Sequence, residues 1–102
     1  MAGRTRAMSG TTVAVLQALA DGVSYGFDIM DTAGLPSGTV YPILARLEAR
    51  GLAGSEWEDP AAHREEGRPA RKYYHITAAG RRALAVELER CRALGLPLPG
   101  LA

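Results

Sequence analysis

Hydrophobic residues recur along this chain with a helical period in some segments and with strand-like alternation in others. The clearest helical stretch is LPSGTVYPILARLEARGL, where Val40, Ile43, Leu44 and Leu47 fall at i, i+3, i+4 and i+7. This predicts a helix over 37–50. Ser37 reads as its N-cap, because its hydroxyl can accept an orphan N–H of the first turn. Pro42 is expected at the end of that turn, where at most one backbone bond is lost. Gly51 reads as the stop, since glycine tolerates the left-handed conformation that closes a helix. The face opposite the apolar stripe carries Gly38, Tyr41, Pro42 and Ala45, flanked by Thr39 and Arg46. It is small and hydroxylated, and it holds no acidic group before Glu48.

Upstream, TTVAVLQALADG places Val13, Leu16, Leu19 and Ala20 at helical spacing, with Thr11 or Thr12 as cap and Gly22 as stop. SYGFDIMDTAG predicts a second short helix, joined through AGLP to the helix at 37–50. Two short helices around a glycine-containing turn are the sequence form of a helix-turn-helix. Downstream, LAGSEWE alternates weakly and RKYYHIT is rich in β-formers. Between them DPAAHREEGRPA has no apolar period, which predicts a hairpin with a long, mobile tip, the form called a wing. Thr77 is expected to cap a last helix whose stripe is Leu84, Leu88 and Cys91. The fold class is therefore mainly α with a small β-hairpin, a winged helix-turn-helix. Its parts are a flexible basic arm (1–10), a winged helix-turn-helix (11–76), a C-terminal dimerisation helix (77–95) and a loose tail (96–102).

Composition narrows the functional classes. The chain has 102 residues, enough for one small domain, and a net charge of only +1. Charge distribution is more informative than the total: Arg64, Arg68, Arg71 and Lys72 cluster in one segment, with Glu65 and Glu66 among them. No apolar run is long enough to cross a bilayer, and MAGRTRAMSG lacks the apolar core of a signal peptide. The single cysteine cannot form an internal disulfide, which fits a cytoplasmic location. His63 and His75 have no metal-ligand spacing with each other or with Cys91, so no metal or cofactor is expected. No phosphate-binding glycine loop and no catalytic signature occur, which argues against an enzyme.

The succession SYGFDI, SGTVYPILARLEARGL and RKYYHITAAGRRAL closely resembles the PadR family of bacterial transcriptional regulators, over roughly residues 12–94. The resemblance is carried by Tyr25-Gly26, by Gly38-Thr39-Val40-Tyr41-Pro42, and by Lys72-Tyr73-Tyr74 with Thr77 and Gly80. It implies a homodimer built through the first and last helices that binds an operator in double-stranded DNA as a repressor. The chain is similar to the short branch, with a single C-terminal helix. Two departures stand out: the hairpin tip is long and acidic, and Ala45 occupies a position where a longer polar side chain would read bases better.

On this basis the DNA-binding residues are expected to be Ser37, Gly38, Thr39, Tyr41, Pro42, Arg46, Arg71, Lys72 and Tyr74. The N-terminal end of the helix would meet phosphates through free N–H groups and the helix dipole. The unpartnered stripe of the last helix, Leu84, Leu88 and Cys91, predicts dimerisation, together with Leu16. A small aromatic or hydrophobic effector that releases the repressor is implied by the resemblance alone; Val13, Leu16, Leu88 and Trp57 are its candidate contacts. Trp57 otherwise reads as the anchor of the wing to the body. The alternative function is a winged helix used for protein–protein contact without DNA.

Overall fold

The computed structural model describes residues 8–97. The elements run α1 (Gly10–Ala20), α2 (Gly26–Ala33), α3 (Ser37–Ala49), β1 (Ala53–Trp57), α4 (Pro60–Glu65), β2 (Lys72–Ile76) and α5 (Ala78–Leu94). The helices at α1, α2, α3 and α5 and the hairpin follow the hydrophobic pattern. Val13, Leu16, Ile29, Val40, Leu44 and Leu47 are buried together, so the stripes of the first three helices meet in one core. β1 and β2 pair antiparallel from Ala53 opposite Ile76 to Trp57 opposite Lys72. Tyr25 adds an isolated bridge to Tyr73, and Ser24 accepts the Tyr74 N–H at 2.8 Å, which ties the hairpin to the start of α2.

The ends of the helices are set by local chemistry. Gly51 takes φ of 73°, and the Leu52 N–H reaches back to the Leu47 carbonyl at 2.9 Å. That left-handed turn closes α3 and turns the chain into β1. Thr77 does two jobs at the opposite end of the hairpin. Its hydroxyl accepts the Gly80 N–H at 3.0 Å, capping α5, and donates to the Gly51 carbonyl at 2.7 Å. The end of α3 and the start of α5 are thus joined through one side chain.

Several expectations are corrected. The first helix is capped by Ser9, whose Oγ accepts the Thr12 N–H at 3.2 Å, rather than by Thr11 or Thr12. The helix therefore begins inside the segment expected to be a flexible arm; Arg4 and Arg6 lie outside the described residues, as does most of the expected tail. Ser37 is not a cap but the first residue of α3, and the N-cap is Pro36, which has no side-chain acceptor. The wing tip contains a helix that its lack of an apolar period did not predict. Asp59 caps the short helix α4 by accepting the Ala61 N–H at 2.9 Å, with Pro60 at its first position.

Candidate nucleic-acid interface

The exposed face of α3 holds Ser37, Gly38, Tyr41, Pro42, Ala45 and Arg46, with Thr39 half-buried beside it. The side chains of Ser9, Asp59 and Thr77 cap α1, α4 and α5, whereas α2 and α3 have no side-chain cap. The Pro36 carbonyl accepts the N–H groups of Thr39 and Val40, each at 3.0 Å. The N–H groups of Ser37 and Gly38 precede these, at the positive end of the helix dipole, among small side chains. Pro42 lies one residue further into the helix than a cap at Ser37 would place it. It has no N–H to offer the Gly38 carbonyl, so the outer face of α3 also keeps an available acceptor. Glu48, the first acidic residue of the helix, is turned toward the hairpin: it accepts the Ser55 hydroxyl at 2.6 Å and pairs with Lys72 Nζ at 3.6 Å.

Beside this face stands the stem of the wing. The Arg71 guanidinium lies 4.8 Å from the centroid of the Tyr25 ring, and its pKa is raised chiefly by a hydrogen bond to Tyr73. Lys72 Nζ lies 5.5 Å from the Tyr74 ring and 5.8 Å from the Trp57 ring. Both cations are held by flat rings that keep their charge near the surface. The structure therefore brings Tyr41 of α3 and Arg71 and Lys72 of the hairpin to the rim of one groove.

The acidic wing tip proves to be internally neutralised. Arg68 reaches both Glu58, with Nη1 2.5 Å from Oε1, and Glu66, with Nη2 2.7 Å from Oε1. Glu58 also accepts the Arg71 backbone N–H at 2.8 Å, so its nearly buried carboxylate sits between the start of the tip and the base of β2. The hydrogen bond from Arg68 holds the Glu58 and Glu66 carboxyls below the usual carboxylate range. Sequence reasoning missed this cluster; its only trace there was opposite charge at both ends of the tip.

The structure moves other predicted residues away from the surface. Tyr74 is buried and belongs to the core, with only its edge reaching the groove, and burial pushes its phenol pKa up. Tyr73, on the other face of β2, stacks near Tyr25 instead, with centroids 5.9 Å apart. Trp57 does not anchor the wing, being 64% exposed. Leu16 is wholly buried within its own subunit, and Leu84 and Cys91 are also inside, because α5 packs on α1 and β2. Leu88 is half-buried against the same core. The stripe read as an unpartnered dimer surface is therefore already covered. The candidate effector contacts are not brought together either: Trp57 lines the wing groove, while Val13 faces a small cavity between α1 and α5.

Among the described residues no cluster of side chains suited to a metal ion occurs, and no helix is long and apolar enough to cross a membrane.

Comparison with known proteins agrees with the geometry. The family described as "Transcriptional regulator PadR-like family" matches residues 15–86. A PadR family transcription regulator from hypervirulent Clostridium difficile superposes with a TM-score of 0.72 at 24% identity, covering 85% of this chain and 92% of that one. A PadR-like transcription factor from Bacteroides fragilis gives 0.69 at 28% identity, with 82% of each chain covered. BpsR of Bordetella bronchiseptica, whose DNA binding is regulated by 6-hydroxynicotinic acid, gives 0.70 at 22% identity over 87% of this chain and 63% of its own. No curated protein matches by sequence. A winged fold with a two-stranded hairpin, a matching family over most of its length and neighbours among bacterial regulators lead to one conclusion: the chain belongs to the PadR-like family of transcriptional regulators.

Proposed function

We propose that this protein is a dimeric, sequence-specific DNA-binding repressor, with the N-terminal half of α3 in the major groove and the wing stem on the flanking backbone. One observation carries the reading. The exposed, uncapped face of α3 from Ser37 to Arg46 lacks acidic side chains and adjoins Arg71 and Lys72. Ser37, Gly38, Thr39, Tyr41 and Pro42 would approach phosphates and sugars closely, and Arg46 would reach base edges.

A second copy would pair through the outer surface of α5, where Val86 and Leu94 are 62% and 61% exposed. Two-fold symmetry then sets the α3 helices roughly 34 Å apart, at successive major-groove turns. Release by a small apolar ligand is supported by the regulated DNA binding of BpsR and by the cavity of about 280 Å³ lined in part by Val13 and Cys91. The buried, unpaired Cys91 fits a reducing cytoplasm.

Selection of bound sequences from random duplex DNA tests the reading. The expected result is a two-fold symmetric site with half-sites about 10 base pairs apart, bound with an affinity that falls steeply with salt. No retention of duplex at low salt would replace DNA by a protein partner for the same surface.

A further inference from the structure

An open groove of about 530 Å³ lies between the start of α2, the start of α3 and the base of the wing. Its lining includes the rings of Tyr25, Phe27, Tyr41 and Trp57 and the cations Arg71 and Lys72. Phe27 and Trp57 are 62% and 64% exposed, more than any other aromatic side chain among the described residues. Duplex phosphates account for the cations, but they give these two rings nothing flat to cover. Tyr41 belongs both to the groove and to the exposed face of α3, so the groove runs into the proposed duplex site.

The chemistry of the lining selects the occupant. Flat apolar faces edged by positive charge match a polymer that alternates planar bases with anions. A duplex offers its phosphates here and keeps its base faces stacked inside. A small planar anion would cover one ring of an open groove and leave the others in water. An unpaired strand satisfies the rings and the cations together.

We propose that this groove holds unpaired nucleotides of a DNA strand, with bases stacked on Trp57 and Phe27 and phosphates against Arg71 and Lys72. It rests on the repressor reading where the two sites share Tyr41, Arg71 and Lys72. At an operator it would accept a base from an opened step beside α3, at the cost of unstacking that base.

Trp57 is the only tryptophan, so its fluorescence reports the groove directly. Oligo(dT) of about ten nucleotides, titrated at low salt, should quench Trp57 saturably. An abasic strand of the same length keeps the phosphates and should bind at least about fivefold more weakly. By anisotropy of a labelled strand, Phe27→Ala and Trp57→Ala should each weaken oligo(dT) at least about fivefold, with duplex retention changed by no more than about twofold. Both side chains are exposed, so the variants should melt as the parent does. Equal binding of oligo(dT) and the abasic strand would overturn the proposal, since phosphates alone would then explain it. Quenching by salicylate without quenching by oligo(dT) would also overturn it, in favour of a small planar anion. Loss of duplex binding with the base-dependent single-strand binding intact would overturn the repressor reading and leave this one standing.

Discussion

The hydroxyl of Tyr41 occupies the space that a side chain on Gly26 would need. A Cβ built on Gly26 meets Tyr41 Oη at 2.3 Å and Cζ at 2.9 Å. The start of α2 is thus bare so that a ring of α3 can lie across it. Tyr41 is 41% exposed and has room to swing, so Gly26→Ala should displace the ring rather than unfold the domain. The expected loss is about 1–3 kcal/mol, with weaker duplex binding. Combining it with Tyr41→Ala should restore most of the stability in a chemical denaturation series, because the obstacle is then gone.

Gly80→Ala should be the harsher change. Its Cβ would meet the Leu52 carbonyl oxygen at 2.0 Å and Ile76 Cγ1 at 2.7 Å. Backbone cannot swing aside as the Tyr41 ring can. A loss of about 3 kcal/mol or more is expected, which lowers the melting temperature of a domain this size by about 12 °C or more. Calorimetry of the two glycine variants side by side checks the order.

Substitutions on the wing stem and on α3 should separate by their effect on specificity. Arg71→Ala and Lys72→Ala should weaken binding to all duplexes alike and each reduce the salt slope by about one. Arg46→Ala or Thr39→Ala should change which sequence is preferred. Because Lys72 already pairs with Glu48, Glu48→Gln is expected to strengthen non-specific binding slightly. Uniform loss across sequences for Arg46→Ala would make Arg46 a backbone contact.

The wing should loosen in acid. The carboxyls of Glu58 and Glu66 are held low by Arg68, so their folded pKa values lie below their unfolded ones. Their contribution is complete above the unfolded value of about 4.3 and is lost as pH falls through the lower folded values. Trp57 adjoins Glu58 in sequence, and its emission should shift over that acid range. In Glu58→Gln that transition should shrink to the part owed to Glu66, and the wing should be more open to proteolysis already at neutral pH.

Oligomeric state should respond to the outside of α5 and not to its inside. Val86→Asp with Leu94→Asp should give a folded monomer by sedimentation, since both side chains are exposed. Leu84→Asp should unfold the protein instead, because a carboxylate would enter the core. A dimer that survives the exposed pair of changes would move the interface elsewhere.

The sequence by itself determined the elements and their order. Val40, Ile43, Leu44 and Leu47 are confined to one helical face by period alone, and all are buried. Gly51 and Thr77 act through rules that span a few residues, and both appear where the pattern put them. The exposed face of α3 followed directly, since the face opposite a buried stripe has nowhere else to go.

Tertiary structure decided what lies between elements. Period could not tell that α1 and β2 cover Leu84 and Cys91, because a stripe looks the same whether its partner is its own subunit or another. Alternation put Tyr73 and Tyr74 on opposite faces, but only packing showed that Tyr74 is the buried one. The tip of the wing has no hydrophobic period to read, and its order comes from Glu58 meeting Arg68 across a gap in sequence. The contact of Tyr41 with Gly26 is of the same kind. It joins two helices through a missing Cβ, and a missing atom leaves no pattern along a chain.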